Sequence, residues 1–107
     1  METNRFDIFL ISLDPTQGSE IKKTRPCVIV SPDEMNRNIR TVIIAPLTSK
    51  TKEYPTRVKC KFKGKNGELV LDQIRTVDKG RLLKKMGILS TIYHAKVFDV
   101  LQEMFAE

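Results

Sequence analysis

No apolar run in this chain outlasts a short strand. Residues 8–13, 26–31, 41–47 and 57–62 are rich in Val, Ile and Phe, and turn-forming residues such as Asp14-Pro15 with Gly18 close them off. Runs of that length, repeated along 107 residues, build a sheet rather than a helical bundle. The uninterrupted apolar stretches at 8–11 and 42–45 also fall far short of the ~20 residues that a membrane-spanning helix needs. A chain of this length supports one core, so residues 1–107 are expected to form a single domain.

The fourth run alternates cleanly, with Val58, Cys60 and Phe62 on one face and Arg57, Lys59, Lys61 and Lys63 on the other. Gly64-Lys65-Asn66-Gly67 then reads as a hairpin turn through its Asn-Gly pair, with residues 68–76 as the returning strand. Pro26 suits only the first residue of its strand. Ser31-Pro32-Asp33-Glu34 has the spacing of a capping box and predicts a short helical turn. From Ser90 onward the period lengthens, and Ile92, Ala95, Phe98, Leu101 and Phe105 predict a terminal helix packed by that stripe, with Ser90 or Thr91 as its cap. Five or six antiparallel strands and a closing helix point to a small barrel with helical additions, although the pattern fits an open sheet as well.

Nineteen Lys and Arg against thirteen Asp and Glu give a net charge of +6, a surface that attracts polyanions. The excess is local: residues 50–65 hold Lys50, Lys52, Arg57, Lys59, Lys61, Lys63 and Lys65 against Glu53 alone. The two cysteines, Cys27 and Cys60, lie inside apolar patterns and read as reduced core residues. With the single His94 they make no closed metal site, and no phosphate-cradling glycine motif occurs. The amino-terminal residues lead into no long apolar stretch with a small-residue cleavage site, so the expected address is cytoplasmic.

Polar residues at strand ends are the chemical anomaly. Glu20 and Arg25 flank the second run, Thr48 and Ser49 follow the third, and Asp72-Gln73 breaks the apolar stretch between Leu69 and Ile74. Such groups are edge-exposed, hydrogen-bonded in the core, or functional. From pattern alone, a bracing network and a reactive site fit Asp72-Gln73 equally well.

Four ordered blocks carry more: Leu13-Asp14-Pro15-Thr16-Gln17-Gly18-Ser19-Glu20, Arg25-Pro26-Cys27-Val28-Ile29-Val30-Ser31, Ala45-Pro46-Leu47-Thr48-Ser49, and Asp72-Gln73-Ile74-Arg75-Thr76-Val77-Asp78 with Arg81-Leu82. Together they resemble the MazF/PemK (Kid) toxins of type II toxin-antitoxin systems, over residues 5–105. The resemblance implies a mainly β fold, a small SH3-like or CcdB-like barrel of five to seven strands with a C-terminal helix. It also implies a homodimer, an antitoxin partner with an acidic disordered segment, and a cytoplasmic endoribonuclease that cuts single-stranded RNA without a metal or other cofactor.

By the same resemblance Arg25 and Thr48 match catalytic positions, and Glu20 and Asp72, which match acidic ones, complete the expected catalytic set. The Kid branch carries an arginine two residues before its acid where this chain has Val70, and a histidine where it has Gln17, which favours an arginine-threonine centre. Gln17, Ser19, Ser49, Lys50, Lys52, Arg57 and Gln73 are the expected RNA contacts, with Tyr54 placed to stack a base. The competing expectations are a gyrase-binding toxin of CcdB type and a barrel that binds RNA without cutting it.

Overall fold

The computed structural model describes residues 2–14, 17–20 and 23–107; Pro15, half of the predicted stop after the first strand, lies outside them. Seven strands form one antiparallel sheet: β1 (Asp7–Ser12), β2 (Thr24–Ile29), β3 (Thr41–Thr48), β4 (Arg57–Phe62), β5 (Lys65–Val70), β6 (Arg75–Asp78) and β7 (Leu82–Ile88). The order across the sheet is β4-β5-β3-β2-β1-β7, and β6 pairs with β3 beside that path. Two helices complete the fold, α1 (Asp33–Asn38) and α2 (His94–Phe105). Among the described residues no helix is long and apolar enough to cross a membrane.

The central strands are apolar on both faces because both faces are covered. Ile8, Val28, Ala45 and Leu47 enter a cluster with Val58, Leu69, Val97 and Val100. Their neighbours Phe9, Ile11, Cys27, Ile29, Val42 and Ile44 enter a second cluster closed by Val77 and Leu82. A strand buried on both sides loses its polar alternation, which explains the unbroken β-branched runs. β4 keeps its alternation, since Lys59 and Lys61 face water while Val58 and Cys60 are buried. Cys27 and Cys60 thus lie in different clusters, and both are free thiols.

β3 is the strand that shapes the molecule. Over Thr41–Ile44 it pairs with β6, over Ile44–Pro46 with β2, and at Leu47 and Thr48 it leaves β2 and pairs with β5. The sheet therefore opens beside the first residues of β2. The terminal strands β4 and β7 approach each other where Phe62 packs on Gly87, and Lys61 donates its backbone N–H to the Tyr93 hydroxyl at 2.9 Å. The result is a sharply curled sheet rather than a flat one.

Several local expectations change. Pro26 is the third residue of β2, not the first; it sits opposite Leu10, and the β2–β3 ladder begins only at Cys27, so its missing N–H costs no bond on that side. The hairpin turns on Lys63-Gly64, both at positive φ and flanked by the pair Phe62 and Lys65, while Asn66 and Gly67 lie in β5. Residues 68–76 are not one strand: Leu71–Gln73 forms a single 3-10 turn, after which β6 pairs with β3 instead of β4.

Ser31 does not cap α1. Its hydroxyl donates to Asn36 Oδ1 at 2.6 Å and accepts from Ile43 N–H at 3.0 Å. In α2 the buried residues are Val97 and Val100, helped by half-buried Leu101 and Met104, whereas Ile92 and Phe105 of the predicted stripe are 77% and 71% exposed. Neither Ser90 nor Thr91 makes a side-chain cap to this helix.

Candidate functional site

The parting of β2 from β3 creates a cleft of about 210 Å³. Arg25 and Pro26 form one wall, Leu47, Thr48 and Ser49 another, and Lys65, Asn66 and Gly67 of β5 a third, with Cys60 and Phe62 below. Arg25 is half-buried at the start of β2, opposite Ile11 of β1. Among the described residues no carboxylate or carbonyl takes a bond from its guanidinium. The other arginines at comparable depth are all engaged. Arg5 donates to Val30 O, Arg75 to Leu13 O, Arg81 to Ser12 O and Asp14 O, and Arg57 to Asp72. Arg75 and Arg81 thereby pin the end of β1, the root of the loop that carries Gln17, Ser19 and Glu20.

Thr48 is buried, and its Oγ1 accepts the backbone N–H of Lys50 at 3.2 Å. That bond uses a lone pair and leaves the hydroxyl hydrogen to donate elsewhere. Gly67 is required beside it, because a Cβ at this position would overlap the Thr48 carbonyl. The cleft thus brings together an unpaired guanidinium, an oriented hydroxyl, Ser49 and the ammonium of Lys65, a donor-rich surface suited to an anion. Lys65 and Asn66 escaped the sequence reading because Asn66-Gly67 looked like a turn.

Glu20 and Asp72 lie elsewhere. A second cleft, of about 230 Å³, is lined by Leu13, Glu20, Pro46, Asp72, Gln73, Ile74 and Arg75. Pro46 and Leu47 are consecutive in β3 and point to opposite sides, which puts the two clefts back to back on one strand. The Glu20 carboxylate accepts the Gln17 backbone N–H at 2.6 Å, and Glu20 N–H donates to Gln17 O at 3.1 Å, so this side chain braces its own turn beside exposed Ser19.

Asp72 accepts from Thr56 Oγ1 at 3.0 Å and, on both oxygens, from Arg57 at 3.1 and 3.3 Å. Burial alone would raise the Asp72 carboxyl; the bonds from Arg57 and Thr56 outweigh it and hold the group below the ordinary carboxylate range. Among the thiols burial prevails: Cys27 is pushed up to about 12 against the opposing charges of Arg75 and Arg25, and Cys60 to about 11.

Of the remaining residues singled out from sequence, Tyr54 and Arg57 line a third cleft with Glu53, Lys59 and Glu68. Tyr54 is half-exposed, with the Arg57 guanidinium 4.8 Å from its ring centre, and Arg57 reaches Glu68 as well as Asp72. Lys50 and Lys52 stand exposed on the loop between β3 and β4. Lys59, by contrast, is paired with Glu53 at 2.7 Å. Glu68, fully buried, was missed altogether: its partners are distant backbone N–H groups, which leave no trace in spacing.

A family model described as PemK-like, MazF-like toxin of type II toxin-antitoxin systems matches residues 4–105. The endoribonuclease MazF of Staphylococcus saprophyticus is 42% identical over 92 residues, covering 80% of this chain and 77% of its own. Among solved structures, MazF from Deinococcus radiodurans superposes with a TM-score of 0.86 at 22% identity, over 100% of this chain and 99% of its own. A mycobacterial endoribonuclease in complex with its cognate antitoxin gives a TM-score of 0.80 at 22% identity, over 94% and 92%.

Proposed function

Because the chain belongs to the PemK-like, MazF-like toxins of type II toxin-antitoxin systems, we propose that it acts as their sequence-selective endoribonuclease, cutting single-stranded mRNA in the cytoplasm without a metal and so halting translation. In this reaction the 2′-oxygen attacks the adjacent phosphorus, the bond to the 5′-oxygen breaks, and the products carry a 2′,3′-cyclic phosphate and a 5′-hydroxyl. The 2′-hydroxyl proton leaves as the 5′-oxygen gains one, and negative charge gathers on the non-bridging oxygens.

The observation that carries this reading is the half-buried Arg25, without a hydrogen-bond partner among the described residues and facing Thr48 across one cleft. A guanidinium so placed neutralises the phosphorane through its two-pronged fork, and the Thr48 hydroxyl donates to a phosphate oxygen. Ser49, Lys50, Lys52, Gln17, Ser19 and Gln73 hold flanking nucleotides, and Tyr54 offers a stacking face. Asp72, committed to Arg57, is a weak proton acceptor; its part and that of Glu20 are to shape the second cleft and its loop.

The antitoxin presents an acidic disordered segment that competes for the cations the phosphates use. A homodimer accounts for Ile88, Ile92 and Phe105, large apolar side chains left 61%, 77% and 71% exposed.

The test is to incubate the protein with a long unstructured RNA in excess EDTA, beside Arg25→Ala and Thr48→Ala, and to map every fragment end. Discrete cuts with cyclic phosphates, slowed at least ~100-fold in Arg25→Ala, support the reading. Intact RNA at high enzyme overturns it, and inhibition of gyrase would then mark the CcdB-like alternative.

A further inference from the structure

We propose that Glu68 is the positioning residue of the loop that follows Thr48, and that it sets RNA affinity without touching RNA. The loop between β3 and β4 is exposed from Ser49 to Pro55 and has no regular structure over residues 51–54. Besides the Thr48 hydroxyl at Lys50 and the Lys59 ammonium at Glu53, a buried carboxylate holds its backbone at two successive residues. Glu68 lies in β5 directly across from Thr48, is 0% exposed, and accepts the backbone N–H of Lys52 on Oε1 at 2.9 Å and that of Glu53 on Oε2 at 3.0 Å.

A buried carboxylate is costly unless its oxygens are satisfied, and here two amides satisfy them while the Arg57 guanidinium, 3.8 Å away, offsets the charge. The two bonds also sustain Glu53 at φ +59°, a left-handed backbone that a non-glycine residue adopts only when its surroundings enforce it. Arg57 continues the connection to Asp72, so the loop, β4 and the 3-10 turn at Leu71–Gln73 are fixed through one pair of side chains. With its backbone held at residues 52 and 53, the loop presents Lys50 and Lys52 in one place instead of many. The ordering entropy is then spent in folding rather than on binding.

The functional half of this inference rests on the proposed RNA role of Lys50 and Lys52; the structural half does not. Hydrogen exchange on the wild-type protein should show the Lys52 and Glu53 amides protected despite their exposed loop, and slowed further by saturating RNA whose 2′-hydroxyls are replaced by hydrogen. In Glu68→Gln, where one acceptor oxygen becomes an NH2 facing an N–H, protection at both amides should fall about tenfold or more. Affinity for the 2′-deoxy strand should fall several-fold, and KM for cleavable RNA should rise by more than kcat falls.

Wild-type amides exchanging at open-loop rates would overturn the anchor. Protection lost with affinity and KM unmoved would overturn the positioning role. If Glu68→Gln does not fold, the wild-type exchange rates with and without the strand still decide both points. RNA bound but never cut by the wild-type protein would sink the ribonuclease reading while leaving this one standing.

Discussion

Gly67 lies so close to the carbonyl of Thr48 that a methyl group on its α-carbon would overlap the oxygen. Thr48 is paired with Glu68 in the β3–β5 ladder and Gly67 with Cys60 in the β4–β5 ladder, so neither backbone can swing aside as a side chain would. Gly67→Ala is therefore expected to displace Thr48. It should cost about 1–3 kcal/mol, read by denaturant unfolding, and slow RNA cleavage in parallel. Gly64→Ala, at φ +76° in the hairpin turn with open space around it, should cost about 1 kcal/mol and leave the cleavage rate near normal.

Arg25 and Arg57 should separate function from stability. Removing the Arg25 side chain breaks no hydrogen bond among the described residues, so Arg25→Ala should unfold within about 0.5 kcal/mol of the parent while losing cleavage. Arg57→Ala strands the buried Glu68 carboxylate and frees Asp72, and should cost about 3 kcal/mol. Paired urea titrations and cleavage rates on the two variants check this; equal destabilisation would refute it.

Acid should weaken the fold partly through Asp72. Its carboxyl titrates lower in the folded protein than in the unfolded chain, so its contribution is present above the ordinary carboxylate range and is lost as pH falls through and below that range. Asp72→Asn should be less stable than the parent at pH 7 and lose less on acidification. Thermal midpoints from pH 7 to pH 3 would show the two curves converging; parallel curves would contradict the assignment.

The thiols should be inert in the native state. With Cys27 near 12 and Cys60 near 11, at pH 8 only about one molecule in ten thousand and one in a thousand carries the thiolate. Alkylation with iodoacetamide should be slow until denaturant is added. Cys60, which lines the cleft, should lead Cys27 as pH rises.

What the sequence disclosed follows from the range of the forces involved. The strands at 7–12, 41–48 and 57–62 were readable because burial imprints β-branched runs and alternation on neighbouring residues. Errors fell where two local signals competed. Asn66-Gly67 and Lys63-Gly64 both spell a turn, and only pairing with β4 selects the second. At the carboxyl-terminal end the stripe through Ile92 and Phe105 competes with the one through Val97, Val100 and Met104, and packing on the sheet chose the latter. Arg25 and Thr48 were found through ordered motifs shared with relatives, whereas Glu68 depends on amides sixteen and fifteen residues away.

The point at which β3 changes partners, between Pro46 and Leu47, makes the opening beside Arg25 a matter of strand register rather than of loop conformation. Loops around such an opening can lengthen, shorten or change their side chains while its width stays fixed by two hydrogen-bonded ladders. Under the proposed function, a scaffold of this kind separates the place where a phosphate would be held from the residues that would choose which sequence surrounds it, and lets the second vary without rebuilding the first.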